Sequence, residues 1–209
     1  EHIRLTIHLL GRRNVTPYMY ATKYHKWFKL ERDIIFANIR YVNVGQLIKG
    51  NSFPKIGCDV EAQIMSKLQA QKDTISRFYG INKRTEPTSY RTLYYSRKTG
   101  YFLVFSTFIP QVFNCDGKLI NPTELKLLNF KTKDMALNAL SVLNSSLFFW
   151  FFIATSDARN VNKRELDDFP IDLSGLSNLS YSHTLMESYQ ANSVIKQMGH
   201  LKIQTIYPR

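Results

Sequence analysis

Cysteine is scarce in this 209-residue chain, which has only Cys58 and Cys115. Two cysteines cannot build a disulfide framework, so a reducing, cytoplasmic setting is expected. They also stand apart from the five histidines (His2, His8, His25, His183, His200), and no ligand spacing for zinc results. Nine glycines and seven prolines are too few for a collagen-like or low-complexity chain. Long apolar runs are missing too. The longest, residues 147–154, has eight residues, well short of the roughly 20 that a spanning helix requires. It reads as a buried core helix, and no membrane partner is expected. Acidic residues are the last shortage: 16 against 28 lysines and arginines, for a net charge of +12.

Two things are plentiful. Hydrophobic residues make up 44% of the chain, enough to bury a core and to exclude disorder. Aromatics also number 28, from 12 Tyr, 14 Phe and 2 Trp. The positive charge is uneven. Residues 1–100 hold 18 basic and 7 acidic residues, a balance of +11, whereas residues 101–209 hold 10 and 9. An anionic partner, with nucleic acid ahead of a membrane surface, accounts for such an excess.

Residue patterning predicts strands at 3–10 and 18–23, joined as a hairpin through Gly11-Arg12-Arg13-Asn14. A helical face follows at 31–39, and a glycine-containing loop at 43–57. Asp59 is expected to cap a helix from residue 60 to about 79, stopped by Gly80. Segments 93–95 and 101–108 read as a hairpin around Arg97-Lys98-Thr99-Gly100. Residues 110–122 read as a loop and 125–130 as a strand. Helices are expected from 133, through the aromatic run after Ser145, and over 181–198. Strands and helices without strict alternation predict an α+β fold, with hairpins packed on helices.

The chemistry carried by motifs is thin. There is no glycine-rich cofactor loop, no phosphate-binding loop and no nucleophile elbow. Glu124-Leu125-Lys126 matches half of a metal-dependent nuclease pattern, with Asp116 the nearest upstream carboxylate. Such triplets arise by chance in basic proteins, and an exposed ion pair is the plainer reading. The stronger signal is basic residues interleaved with aromatics between residues 77 and 98, six basic residues against the single acid Glu86. Lysine and arginine neutralise phosphates, and arginine also reads guanine edges. Lys83, Arg84, Arg91, Tyr94, Arg97 and Lys98 are therefore the first candidates for a DNA face. The hairpin tip at Arg97 and Lys98 has the shape to enter a groove, and one of Tyr94 and Tyr95 should be buried. A second polar cluster, 156–164, offers Arg159, Lys163 and Arg164. In it Asn160 and Asn162 either cap a helix or bond adenine edges.

These residues carry a resemblance. Leu143-Asn144-Ser145-Ser146-Leu147-Phe148-Phe149-Trp150, then Ser156-Asp157-Ala158-Arg159 with Lys163-Arg164-Glu165-Leu166, then Asp168-Phe169-Pro170-Ile171 form one pattern. It resembles the C-terminal target recognition domain of TaqI-like and type IIG adenine-specific (N6) DNA methyltransferases of restriction–modification systems. Related phage-defence methyltransferases share it. Tyr24-His25-Lys26-Trp27, Ser52-Phe53-Pro54-Lys55-Ile56 and Leu93-Tyr94-Tyr95-Ser96-Arg97 resemble further segments of that family.

The resemblance implies a bacterial or archaeal protein that binds double-stranded DNA sequence-specifically, with a methyltransferase domain upstream in the same parent chain. It places S-adenosylmethionine in that upstream domain and no cofactor here. The family's Asn-Pro-Pro-Tyr motif is absent, since Asn121-Pro122-Thr123-Glu124 does not match it. No catalytic residue is therefore assigned. Residues 1–45 are expected to be the tail of the methyltransferase domain and a linker, and 46–209 the recognition domain. The start without Met and the ending Tyr207-Pro208-Arg209 lead us to expect a fragment of a larger restriction enzyme or methyltransferase. A metal-dependent nuclease fragment and a protein-docking module of a restriction complex are the alternatives.

Overall fold

The computed structural model describes residues 18–49, 52–80, 90–99, 102–122, 125–177 and 179–206. The chain divides into two compact units, Glu1–Ala62 and Gln63–Arg209. The division falls within a helix rather than at residue 45.

In the first unit, strand β1 (Tyr20–Ala21) pairs antiparallel with β2 (Val42–Asn43). The expected partner of the 18–23 segment, residues 3–10, lies outside the described residues. The helix expected at 31–39 is two short 3₁₀ segments, Lys29–Ile34 and Phe36–Asn38, with no buried residue in either. Without a core to face, their apolar side chains cannot stabilise a longer α-helix, and Leu30 and Phe36 are exposed. Helix α1 (Asp59–Gln69) is shorter than the reading of 60–79. Asp59 is its first residue rather than its cap. The start is secured instead by Glu61, whose Oε2 accepts the Gly57 N–H at 2.7 Å.

In the second unit, a sheet has the order β3 (Tyr79–Gly80), β8 (Leu125–Phe130), β4 (Thr92–Ser96), β5 (Phe105–Ser106), all antiparallel. Gly80, expected to end a helix, is therefore in a strand. Of the hairpin expected over 93–108, β4 and β5 pair antiparallel with Tyr95 opposite Phe105. However, β5 is only two residues long, residues 100 and 101 lie outside the described residues, and Arg97 and Lys98, expected at a tip, run beside residues 159–161. A second antiparallel sheet has the order β7 (Leu119–Ile120), β6 (Val112–Phe113), β10 (Leu201–Ile206), β9 (Ser193–Met198). It contains two departures from expectation. The loop read at 110–122 is a hairpin, because Asn114 Oδ1 accepts the N–H groups of Asp116 and Lys118 and Gly117 turns at φ 75°. The helix read over 181–198 ends as α5 (Leu179–Ala191), and the rest is β9. Gly199 at φ 62° reverses the chain so that β9 pairs with β10 along its full length.

Helices α2 (Lys133–Leu143) and α3 (Ser146–Thr155) follow β8. Thr132 caps α2 by accepting the Met135 N–H, and Ser145 caps α3 by accepting the Phe148 N–H. Phe148, Phe151, Phe152 and Ala154 are buried, so the aromatic run is core. The rings form a chain: Tyr95 on Phe105 (5.1 Å), Phe105 on Phe148 (5.9 Å), and Phe148 and Phe151 both on Phe169 (5.0 and 5.1 Å). Helices on antiparallel sheets make the fold α+β, as the sequence predicts. Among the described residues no single helix is long and apolar enough to cross a membrane.

Candidate nucleic-acid interface

Helix α3 ends at Thr155, and the chain leaves it in a turn made by its own side chains. Ser156 Oγ donates to the Phe152 carbonyl (2.6 Å) and accepts the Ala158 N–H (2.9 Å). Asp157 Oδ1 accepts the Arg159 N–H at 2.8 Å. Ala158 sits at φ 54°, the left-handed region that L residues seldom enter. The turn directs residues 159–161 back along 97–99. There the Thr99 N–H donates to the Arg159 carbonyl (3.0 Å) and the Val161 N–H to the Arg97 carbonyl (2.9 Å), with Lys98 opposite Asn160. A second bridge of the same kind fixes the far end of segment 159–171. It sets Thr74 opposite Pro170, with the Ile75 N–H on the Phe169 carbonyl and the Ile171 N–H on the Asp73 carbonyl.

The first bridge brings together residues that the sequence offers as two separate clusters. Arg97, Lys98, Thr99, Arg159 and Asn160 line one surface depression of about 380 Å³. The three cations are exposed. Arg97 Nη2 donates to Asn162 Oδ1 at 3.3 Å, which orients the guanidinium. The nearby Asp157 carboxylate already accepts two backbone N–H groups, from Arg159 and Asn160. Thr99 Oγ1 is buried and has no hydrogen-bond partner. Such an atom costs stability unless something satisfies it. Nothing in the sequence marks Thr99, because its burial comes from the bridge to a distant segment.

The other candidate residues are placed differently. Lys83 and Arg84 lie outside the described residues. Arg91 stands at the opposite end of β4 from Arg97, about 20 Å away along an extended strand. Its guanidinium lies 5.7 Å from the Tyr90 ring centre. Tyr94 corrects an expectation: at 7% exposure it is buried, as is Tyr95, so its ring packs in the core instead of facing outward. The two tyrosines lie on opposite faces of β4, and both are buried because both faces of this central strand are covered, residues 92–95 all being buried.

Lys163 and Arg164 open helix α4 (Lys163–Asp167), where each has an acidic partner. Lys163 pairs with Asp167, and Arg164 with the buried Glu165 at 3.1 Å. Glu165 Oε2 also accepts the Asn162 N–H (2.8 Å), so Asn162 takes the capping role. Asp167 Oδ1 in turn accepts the Tyr79 hydroxyl at 2.6 Å. Burial and this bond push Tyr79 far above the usual tyrosine range. Burial, then the Asp167 charge, pushes Tyr95 up to about 12.

Of the nuclease fragment, Glu124 lies outside the described residues and Lys126 is exposed on β8. Among the described residues no three His, Cys, Asp or Glu side chains cluster as metal ligands. The strand-to-helix turn from β8 into α2 is Lys131-Thr132, without glycine. Compared with protein-family models, curated proteins and solved structures, the chain matches none.

Proposed function

We propose that this chain binds double-stranded DNA as the target recognition part of an adenine-specific DNA methyltransferase or fused restriction enzyme. In this reading catalysis and S-adenosylmethionine belong to a domain upstream in the parent chain. Such enzymes act on a base extruded from the stack, and a separate surface holds the duplex in register. The observation that supports this best is the backbone bridge that sets Arg97 and Lys98 beside Arg159. It gathers three cations on rigid backbone while leaving one nearby carboxylate, Asp157, occupied by N–H groups. Phosphate contacts from such cations position a duplex, and an oriented arginine such as Arg97 also reads a base edge.

Fluorescence anisotropy with a labelled duplex tests the reading. The full chain should bind, and affinity should fall steeply as salt rises. Replacing Arg97 and Lys98 together by alanine should weaken binding by about tenfold or more, roughly 1.5–3 kcal/mol for charge-assisted hydrogen bonds. No binding at low salt would favour a protein-docking module. Mg²⁺-dependent cleavage lost in Glu124→Ala would favour the nuclease.

A further inference from the structure

The first unit holds a second cavity that the DNA reading leaves unused. It measures about 400 Å³ and is lined by Lys23, His25, Asn38, Arg40, Gly57, Cys58 and Glu61. Its construction follows from the chain path. The β1–β2 pair, with Ala21 opposite Val42, brings the stretch after β1 alongside the stretch before β2. Lys23 and His25 alternate on the first stretch, and Asn38 and Arg40 on the second. The start of α1 closes the floor. Lys23 is held by packing: a Cβ on Gly57 would meet the Lys23 side chain at 2.9–3.2 Å, so only glycine leaves room for that stem.

We propose that this cavity binds a phosphate group carried on a nucleotide-sized body. Two cations, Lys23 and Arg40, face one carboxylate, Glu61, whose Oε2 is taken by the Gly57 N–H. The excess is positive, in a concave site where charge attraction is less screened than on an open surface. His25 contributes an imidazole whose Nε2 is buried without a hydrogen-bond partner. An ammonium, a guanidinium, a carboxamide and an imidazole arriving from different segments suit a tetrahedral oxyanion better than a planar one. The volume exceeds one phosphate and falls in the range of small-ligand sites, roughly 300–1,000 Å³.

Burial first, and the Lys23 charge second, lower the His25 pKa, so the ring is neutral at pH 7. A bound anion offsets both effects. By linkage it moves the His25 titration to higher pH, and the affinity for anion rises as pH falls through that titration. The other titratable groups lining the cavity with His25 are Lys23, Arg40, Cys58 and Glu61, the last engaged with the Gly57 N–H. Sulfate, which does not titrate there, serves as the second probe so that the phosphate's own ionisation is not mistaken for His25's.

The test is NMR of the His25 ring in the full chain, titrated with inorganic phosphate, with sulfate and with a duplex. Phosphate and sulfate should both displace the ring signals and move its titration upward. In Lys23→Gln/Arg40→Gln the phosphate affinity should fall at least about tenfold. Gly57→Ala, which displaces the Lys23 stem without removing a charge, should also weaken binding. A duplex that displaces the same signals and competes with phosphate assigns the phosphate to a nucleic-acid backbone. A response to phosphate alone assigns it to a small ligand. Signals that respond to neither, or respond equally in the double variant, overturn the proposal. The result does not depend on whether Arg97 and Arg159 bind DNA.

Discussion

Asn144 shows how much one side chain organises. Its Oδ1 accepts the Phe105 N–H (3.0 Å) and the Tyr189 hydroxyl (2.9 Å). Its Nδ2 donates to the carbonyls of Phe105 (3.0 Å) and Leu140 (2.8 Å). The carboxamide thus pairs with Phe105 as a neighbouring strand would and ties β5, α2 and α5 together. Replacing it with alanine leaves several buried groups unsatisfied and should cost about 2–4 kcal/mol. A urea midpoint unchanged in Asn144→Ala would contradict this. At the same scale, Ala158 carries backbone strain. Ala158→Gly should be neutral or stabilising by up to about 1 kcal/mol, whereas a β-branched valine there should destabilise by more. Thermal unfolding of the two variants checks the sign.

At the scale of elements, local chemistry was legible and long-range pairing was not. Thr132 and Ser145 are cap residues at the right offset from apolar stretches, so α2 and α3 could be read from the chain. The strand at 125–130 and the 93–108 hairpin carry their own alternation. The end of α5 could not be read the same way. Residues 193–198 suit a helix in isolation, but β10 offers them a full ladder of partners, and that ladder prevails. The 110–122 hairpin was hidden because its turn is built from Asn114 side-chain bonds rather than from glycine alone. The candidate site was legible only in halves. Both basic clusters stand out in the sequence. Their union depends on the Lys98–Asn160 bridge between distant segments, which no periodicity announces. The burial of Tyr94 is hidden for a related reason: interleaving with basic residues does not show that both faces of β4 are covered. The turn side chains should matter to the site. Asp157→Ala frees the Arg159 N–H and should weaken DNA binding despite removing a negative charge. A gain in affinity would show that Asp157 acts by charge alone.

At the scale of the whole molecule, buried tyrosines set a limit on alkaline stability. Tyr95 and Tyr189 are both pushed up to about 12, chiefly by burial, and Tyr79 lies higher still. Each folded value is above the ordinary tyrosine value of about 10. The unfolded chain therefore releases these protons first, and their contribution is complete below pH 10 and lost as pH rises toward 12. Stability measured by urea between pH 9 and 12 should fall by up to about 1.4 kcal/mol per pH unit for each such tyrosine. The fall should be shallower in Tyr95→Phe, and an equal slope in that variant would refute the assignment.

Under the proposed function, two segments far apart in sequence form one DNA-binding surface. The salt dependence of duplex affinity measures this directly, comparing the wild-type chain with Arg97→Ala/Lys98→Ala/Arg159→Ala. Each lost phosphate contact should reduce the slope of log affinity against log salt by about 0.9. The triple variant should bind more weakly, with a slope shallower by about two to three contacts' worth. Equal affinity and equal slope in the two proteins would contradict it.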